Sequence, residues 1–388
     1  MTLPDSLLAA VATRNARFVG DLASLVGIDC GSYTPAGVNR VADAVSGTLK
    51  ELGAAVERIP HSPTEGERQL GDLVIGRLEG SGPRLLLIGH MDTVFEPGVA
   101  AERPFKVDGD RATGPGVSDM KGGLLAGLLA LAALRSLDRH PSVTFVANPD
   151  EEIGSPFSTA HIRGLTAEHD AALVLECARA NGDIVSARKG IADYEVTIRG
   201  RAAHAGVEPE KGRSAILEAA HQVLALHALN GRWPSVTVNA GVIEGGTRPN
   251  VVPESCRMEL DLRAASSSEF ELAASEVEAI VTRPTVEGVS ATLRRAAFHV
   301  PMERTPGNAR LAELAIAIAA ELGFELRDAL TGGASDANTT TAAGLPTLDG
   351  LGPVGGDDHS ADEWLDLSSV VPRITLLAAL IDRAAEAI

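Results

Sequence analysis

Residues 85–94 read LLLIGHMDTV, a run of four apolar residues followed by a histidine and an aspartate two positions apart. An uninterrupted apolar run is typical of a strand buried on both faces, as in parallel sheets. Residues two apart on an extended chain point to the same side, so His90 and Asp92 should project together from the strand end. Open α/β sheets place ligands at such carboxyl ends. Taken alone, however, the pair fits a solvated strand end better.

The composition sets broad limits on size, class and partners. A chain of 388 residues exceeds the usual size of a single core, so two domains are expected. Hydrophobic residues make up 45% of it, which is enough for a core. The 34 basic and 52 acidic residues give a net charge of −18, which argues against nucleic-acid or anionic-membrane partners. An anionic substrate would therefore need locally placed arginine or lysine.

Three features of the sequence favour a reducing, cytoplasmic location. The cysteines are few, odd in number and widely spaced (Cys30, Cys177 and Cys256), which forms neither a disulfide framework nor a zinc-finger pattern. The first residues, MTLPD, lack the basic region and long apolar run of a signal peptide. We also expect that no apolar stretch is long and uninterrupted enough to cross a bilayer.

Apolar periodicity divides the chain into two kinds of region. Helical spacing covers residues 4–28, 36–53, 123–137, 311–322 and 367–386, and apolar strands are predicted at 56–59, 73–78, 84–89, 143–147 and 171–175. From about residue 188 the strands alternate apolar and polar residues (191–199, 236–242 and 255–263), with helices at 211–229 and 268–282. The order strand, helix, strand, strand, helix, strand indicates an inserted, compact α+β domain.

Metal-ligand residue types follow the apolar strands and one helix start. They are His90 and Asp92, then Asp119, then Glu151 and Glu152, then Glu176, and finally His359 in a glycine-rich loop. Each alone has an ordinary explanation, such as an acidic turn, a helix cap or a loop histidine. Together, two histidines with several carboxylates suit two divalent ions that share one bridging carboxylate. Nitrogen and oxygen ligands without thiolate fit zinc, with manganese or cobalt as substitutes.

The motifs around these residues resemble those of the M20 family of di-zinc peptidases and deacylases. The matching pieces are HMD at 90–92, GPGVSDMKGG at 114–123, DEEIGS at 150–155, Glu176, and HSADE at 359–363. Within the family the chain is most similar to the glutamate carboxypeptidase (carboxypeptidase G2) branch. The resemblance implies a mixed-sheet catalytic domain with helices on both faces (1–187 and 300–388). It also implies an inserted ferredoxin-like dimerisation and lid domain (188–299).

The resemblance also implies a role for each residue. Asp119 would bridge two Zn²⁺ ions, with His90 and Glu176 completing one ion and Glu152 and His359 the other. Glu151 would be the general base, and Asp92 the partner that orients His90. A cis peptide is implied between Asp119 and Met120.

Three residues of the inserted domain, and Gly333 after it, match family positions that act on the substrate. His204, in GRAAHAG at 200–206, would reach the active site of the partner subunit in a homodimer and stabilise the oxyanion. Asn250 would contact substrate, although a turn residue before a strand explains it too. Arg263 would grip a free carboxylate with its planar fork. Gly333 belongs to a glycine-rich segment that is either a substrate loop or a helix start capped by Ser335 or Asp336.

These matches predict a zinc-dependent hydrolase that cleaves an amide next to a free carboxylate and releases a C-terminal amino acid such as glutamate. The nearest alternative is an N-acyl-amino-acid deacylase of the acetylornithine deacetylase or succinyl-diaminopimelate desuccinylase type. A non-catalytic protein that binds amino-acid conjugates is disfavoured, because the base and all five ligand positions are present. A purely structural dimerising protein leaves the clustered acids unexplained.

Overall fold

A computed structural model describes residues 3–388, which form two compact units. The first comprises the chain up to Ser186 together with Arg304–Leu330 and Ser335–Ile388, and the second comprises Ala187–Glu303 and Thr331–Ala334. The units meet at 186/187 and 303/304, whereas the expected boundaries were 187/188 and 299/300, and Thr331–Ala334, which was expected in the catalytic segment, belongs to the second unit. The assignment of these segments to a catalytic domain and a dimerisation or lid domain stays a prediction.

The elements are numbered in chain order within the described residues. The helices are α1 (Leu3–Ala12), α2 (Asn15–Val26), α3 (Pro35–Glu51), α4 (Val99–Glu102), α5 (Gly123–Ser136), α6 (Ser158–Thr166), α7 (Ala215–His227), α8 (Ser267–Thr282), α9 (Pro306–Glu321), α10 (Asp336–Ala342) and α11 (Leu367–Arg383). The strands are β1 (Ala55–Ile59), β2 (Leu73–Leu78), β3 (Ser81–His90), β4 (Lys106–Asp108), β5 (Arg111–Thr113), β6 (Pro141–Asn148), β7 (Ala171–Val174), β8 (Ile184–Arg188), β9 (Gly190–Arg199), β10 (Thr237–Gly245), β11 (Ser255–Ala264), β12 (Ser290–His299), β13 (Asp328–Thr331), β14 (Thr347–Leu348), β15 (Gly355–Gly356) and β16 (Trp364–Asp366).

The first unit is built on a six-stranded mixed sheet, in the order β1-β2-β6-β3-β7-β14. Strand β3 pairs in parallel with both β6 and β7, while β2 is antiparallel to β1 and β6. Leu85 and Leu87 belong to the main apolar core, and Leu86 and Ile88, which point the other way, are equally buried. The expected strand, covered on both faces at the centre of a mixed sheet, is confirmed.

Helix α5 contributes many buried apolar residues to this core. The segment Val117–Ser136 is long and apolar enough to span a membrane by length and composition, which the sequence reasoning did not anticipate. Of its most apolar window, 78% is buried inside the protein. Glycines let the helix approach its neighbours, since a Cβ on Gly123 would lie 1.9 Å from the backbone oxygen of Leu175.

A small four-stranded sheet in the same unit was not predicted, and it carries the second histidine. Its order is β15-β16-β5-β4, and all neighbours are antiparallel. Strands β15 and β16 form a hairpin whose connection contains His359, and Trp364 of β16 pairs with Thr113 of β5. Its strands are only two or three residues long, too short to show an apolar period.

The second unit contains one antiparallel sheet, in the order β10-β11-β9-β12, with helices α7 and α8 packed on it. Strand β9 alternates buried and half-buried residues along its length, as its sequence pattern predicts. The chain order β9, α7, β10, β11, α8, β12 is the split β-α-β arrangement of ferredoxin-like domains. Strands β10 and β12 are the two edges of the sheet.

Two predicted helices differ from the observed ones. Residues 4–28 form two helices, because the chain turns at Thr13 and Arg14, whose guanidinium donates to the carbonyl of Ala10. The helix predicted at 211–229 begins at Ala215, after a short turn that ends at Lys211. Ser214 caps it by accepting from the backbone of Leu217. The signal-peptide prediction involves Met1 and Thr2, which lie outside the described residues.

Candidate active site

The site lies where three neighbouring strands of the six-stranded sheet end. Strand β3 ends at His90, which is paired with Asn148 at the end of β6. A short turn, Glu151–Ile153, follows β6, and Glu176 follows β7. Because β6, β3 and β7 run parallel to one another, their carboxyl ends lie at the same edge of the sheet.

The two oxygens of Asp119 face two different histidines. Asp119 Oδ1 lies 2.9 Å from His90 Nε2, and Asp119 Oδ2 lies 3.1 Å from His359 Nε2. His359 Nε2 is also 3.0 Å from Glu152 Oε2, and His90 Nε2 is 3.8 Å from Glu176 Oε1. The five predicted metal ligands are thus brought together around one central carboxylate.

The donor set fits divalent cations. Ligand atoms within 4.8 Å of one another occur in two groups, His90 with Glu151 and Glu176, and His90 with Asp119 and Glu152. These groups differ from the expected ligand sets: Glu151 stands in place of Asp119 in the first group, and His90 stands in place of His359 in the second. Imidazole and carboxylate donors without thiolate suit zinc, manganese or cobalt. A carboxylate with one oxygen toward each histidine has the form of a bridging ligand.

The charges in the site favour cations. Hydrogen bonds to Asp119 and Glu152 raise the pKa of His359 to about 11. Burial acts to lower the pKa of His90, but bonds to Asp119 and Asp92 outweigh it and raise that pKa well above its usual value. Burial acts to raise the pKa of Asp119, yet the two histidines hold it below its ordinary range. The field that stabilises imidazolium protons would stabilise divalent ions, whose binding displaces such protons.

Asp92 is buried and organises the turn that carries the two glutamates. Its carboxylate accepts the backbone N–H groups of Glu151 and Glu152, both at 3.1 Å, and the hydroxyl of Ser32 at 2.6 Å. His90 Nδ1 lies 3.0 Å from the backbone oxygen of Asp92 and 3.4 Å from its carboxylate. The ring is therefore held through Nδ1 with Nε2 turned to the ligand cluster, and the backbone carbonyl contributes the shorter contact.

Glu151 and Glu152 occupy different environments although they are adjacent. The carboxylate of Glu152 contacts His359, and burial raises its pKa to about 6. Burial, reinforced by the charges of Glu176 and Glu152, raises the pKa of Glu151 well above its ordinary value. A carboxyl group beside the ligand cluster with a raised pKa has the character of a proton acceptor that can later donate.

Asp119 lies in an irregular turn before helix α5 and does not cap the helix. Its backbone angles, φ −110° and ψ 94°, are not helical, and Gly116 has the left-handed φ of 72°. The peptide between Asp119 and Met120 is cis, which confirms the prediction. The buried carboxylate of Glu363 accepts three backbone N–H groups of this turn.

A buried polar network lies behind the glutamate turn. The Asn148 amide donates to Asp336 at 2.6 Å, and Ser155 donates to the same carboxylate at 2.7 Å. Asp150 accepts from the backbone of Phe157 and from the hydroxyl of Ser158. The sequence reasoning missed the roles of these residues and of Ser32 and Glu363. Asp150 and Glu363 already stood inside the quoted motifs, which was the available signal.

The second unit holds His204 and Asn250 side by side. The backbone N–H of Ala205 donates to the Asn250 carbonyl at 3.0 Å, and His204 forms a bridge with Val251. His204 is exposed, and its Nδ1 accepts from the backbone of Gly206 at 3.2 Å. Two of the residues predicted to act on the substrate from this domain are therefore neighbours in space.

Arg263 is held in one orientation by two partners in the same unit. Its Nε and Nη2 atoms donate to Asp261 at 3.0 and 2.9 Å, and Nη1 donates to the Gly332 carbonyl at 2.8 Å. The Gly333 carbonyl accepts from Arg188 at 3.1 Å. A guanidinium has five N–H groups, and these bonds use one on each nitrogen. One further N–H group therefore remains on each of the two terminal nitrogens. Ser335, in contrast, caps α10 by accepting from Ala337, which confirms the capping alternative for that residue.

Comparisons with known proteins agree with this arrangement. Residues 86–383 match the profile of Peptidase family M20/M25/M40. The chain is 32% identical to carboxypeptidase G2 of Pseudomonas sp. (strain RS-16), over 97% of this chain and 92% of that protein. It is 29% identical to succinyl-diaminopimelate desuccinylase of Leptothrix cholodnii, over 84% and 89% of the two chains.

The fold is also that of a solved peptidase structure. Aminopeptidase PepT from Bacillus cereus ATCC 10987 superimposes with a TM-score of 0.78 and 22% identity, covering 96% of this chain and 99% of that one. At that identity the likeness concerns the fold alone. The family profile and the carboxypeptidase relative carry the assignment, and the donor set around Asp119 accords with the family's divalent metal. The chain is a metal-dependent amide hydrolase that belongs to Peptidase family M20/M25/M40.

Proposed function

We propose that the protein is a carboxypeptidase that hydrolyses an amide next to a free carboxylate and releases a C-terminal amino acid such as glutamate. The observation that carries the proposal is the central carboxylate of Asp119 between two histidine Nε2 atoms, with Glu151 beside them. Similarity to carboxypeptidase G2 supports the carboxypeptidase specificity.

The residues divide the work as follows. His90, Asp119, Glu152, Glu176 and His359 would hold two Zn²⁺ ions per chain, with Mn²⁺ or Co²⁺ as substitutes. Bound divalent ions supply Lewis-acid polarisation of an amide carbonyl and of water. Glu151 takes a proton from the attacking water and gives it to the nitrogen of the leaving amine. Asp92 fixes the Glu151 backbone, so that this carboxylate keeps its place during the transfer.

Arg263 supplies the cation that a carboxylate substrate needs on a chain with a net charge of −18. Asp261 and Gly332 fix the guanidinium plane, which lowers the entropy cost of gripping a substrate carboxylate with the remaining N–H groups. We propose that Asn250 and Gly333 also contact the substrate, while His204 bonds the oxyanion.

Removing the guanidinium group of Arg263 should weaken substrate binding. We expect Arg263→Ala to lower kcat/KM by about 30- to 1,000-fold, or ~2–4 kcal/mol, mainly through a higher KM because the pair forms before the transition state. Arg263→Lys should recover only part of this, since an ammonium cannot form the planar pair. Steady-state kinetics on an acyl-glutamate measure both. Arg257→Ala, on the same strand and at a similarly exposed position, is the control, and an equal loss there would contradict the assignment.

A substrate panel after metal removal and reconstitution tests the proposed function. Peptidyl- and acyl-glutamates should be hydrolysed, activity should disappear with a chelator, and added Zn²⁺, Mn²⁺ or Co²⁺ should restore it. The same substrates with the terminal carboxylate converted to an amide should be poor, because Arg263 then lacks its ionic partner. Equal turnover of acid and amide substrates would contradict a carboxypeptidase.

An N-acyl-amino-acid deacylase is the second candidate, supported by the similarity to a succinyl-diaminopimelate desuccinylase. Both reactions cut an amide whose amine side bears a carboxylate, so the two share the catalytic residues. Acetylornithine and succinyl-diaminopimelate in the same panel separate them: kcat/KM higher for these than for peptidyl-glutamates would favour the deacylase.

Homodimerisation through the second unit stays a prediction, as does the reach of His204 into the partner subunit's site. The physical reason for expecting it is that an antiparallel sheet with edge strands such as β10 can pair with a second copy. A reducing, cytoplasmic location is likewise a prediction. The three cysteines are buried and unpaired, as that location requires.

A further inference from the structure

We propose that Glu363 is a positioning residue that sets the separation of Asp119 and His359 and thereby the affinity of the site for divalent metal. The proposal rests on the proposed metal-dependent function. Among the described residues, Glu363 accepts hydrogen bonds from the backbone of the Asp119 turn and from none of the five ligand side chains, so it acts through that backbone. Its role therefore differs from that of the five ligands and of Glu151.

The first observation is the number of N–H groups that one buried carboxylate collects. Glu363 is 1% exposed. Its Oε2 accepts from Gly116 at 2.8 Å, and its Oε1 accepts from Ser118 at 2.9 Å and from Asp119 at 3.1 Å. A carboxylate that accepts three main-chain N–H groups fixes their carbonyl and Cα positions together. The third group belongs to the residue whose side chain lies between the two histidines.

The second observation is where Glu363 lies along the chain. It is four residues after His359 in the connection between β15 and β16, directly before Trp364, which pairs with Thr113 of β5. Strand β5 leads into the turn that contains Gly116 and Asp119. The side chain therefore ties the loop that carries one ligand to the turn that carries another, across a sequence separation of more than 200 residues.

The hairpin that carries Glu363 is packed closely against the Asp119 turn. A Cβ on Gly355, at the start of the hairpin, would lie 2.0 Å from Ser118 Oγ. Arg103 also donates to the Ser360 carbonyl at 2.8 Å, and Arg111 of β5 stacks on the Trp364 ring at 4.8 Å. These contacts and the pairing of β16 with β5 hold the hairpin without Glu363, so loss of the Glu363 contacts should move the Asp119 turn rather than the hairpin.

A purely structural role predicts a different result. If Glu363 only satisfied buried N–H groups, its replacement would lower the stability of the metal-free protein and leave metal affinity unchanged. Glutamine at this position keeps the size but turns an NH₂ group toward a backbone N–H, so at least one of the three bonds is lost. Residues that orient metal ligands typically cost about 10–100-fold in metal affinity when they are changed.

The experiment measures Zn²⁺ affinity by competition with a chromophoric chelator, and the visible spectrum of the Co²⁺-loaded protein. We expect Glu363→Gln to bind Zn²⁺ about 10–100-fold more weakly than wild type and to show a changed Co²⁺ spectrum. Glu363→Asp, which keeps the charge on a shorter arm, should be intermediate and covers the case in which Glu363→Gln does not fold. Asp362→Asn, which removes an exposed charge from the same loop, should match wild type.

Wild-type affinity and spectrum in both Glu363 variants, with only a lower melting temperature of the metal-free protein, would overturn the inference. An affinity loss of the same size in Asp362→Asn would also overturn it, since net charge would then be the cause. If the proposed metal-dependent function is wrong, the wild-type protein itself will bind neither Zn²⁺ nor Co²⁺. In that case Glu363 has no metal ligand to position, and the inference falls with it.

Discussion

Glu151→Gln is expected to lower kcat by about 10²–10⁴-fold while the protein keeps its metal. The amide has nearly the same shape as the carboxylate, and Asp92 binds the backbone N–H of residue 151 whatever its side chain. The change would remove the proposed proton acceptor and leave the five proposed ligand residues intact. The measurements are kcat on the preferred substrate and metal content by atomic emission after gel filtration.

The neighbouring glutamate is the matched control. Glu152→Gln makes the same chemical change one residue along the same turn, at a carboxylate that contacts His359. We expect it to lower metal content, with activity that partly recovers at high Zn²⁺ concentration, whereas Glu151→Gln should not recover. If Glu151→Gln kept most of its turnover, or lost its metal as Glu152→Gln does, the assignment of Glu151 as general base would be wrong.

Asp119→Ala is expected to abolish both metal binding and activity. The Asp119 carboxylate faces both histidines, so on the proposed assignment its loss would remove a ligand from each ion at once. A ligand at 100 times its dissociation constant stabilises a fold by about 2.7 kcal/mol, so wild type should melt higher with Zn²⁺ than with chelator. The melting temperature of Asp119→Ala should be the same in both conditions.

An exposed aspartate upstream provides the comparison for this variant. Asp108→Ala, on the exposed strand β4, should keep the metal content, the activity and the Zn²⁺-dependent rise in melting temperature. Stoichiometric metal in Asp119→Ala would rule out a bridging role for that residue. Equal loss of metal in Asp108→Ala would show that general charge, rather than coordination, holds the ions.

The sequence was sufficient to predict the central strand and the residues gathered at its end. The reason is that the apolar run 85–88 must be buried on both faces, which only a central strand of the sheet allows. Strands that run parallel to it bring their carboxyl ends to the same edge. The individual roles came from the resemblance to the M20 family. Residue types alone left each ligand open to an ordinary explanation, such as a cap for Asp119, which the structure places in a non-helical turn.

Three features could not be predicted from the sequence, and the first is a set of contacts made through the backbone. Glu363 accepts from three main-chain N–H groups, and no residue type marks those groups in a sequence. The pairing of Arg263 with Asp261 joins residues two apart on one strand, and sequence spacing places both on one face without saying that they bond. The break between α1 and α2 falls within a continuous apolar period, which carries no signal for a turn.

The hairpin formed by β15 and β16 lies near the C-terminal end of the chain, so the ribosome makes this part of the metal site last. A growing chain has produced His90, Asp119, Glu152 and Glu176 before any of the second unit is made, but His359 and Glu363 come after that whole unit. Domains generally fold as they emerge, N-terminal parts first. An unfinished chain thus carries an acidic, half-formed ligand set with neither the second histidine nor the carboxylate that fixes the Asp119 turn. If these residues hold the metal as proposed, full metal affinity is acquired only once the segment with His359 and Glu363 has been made and has folded.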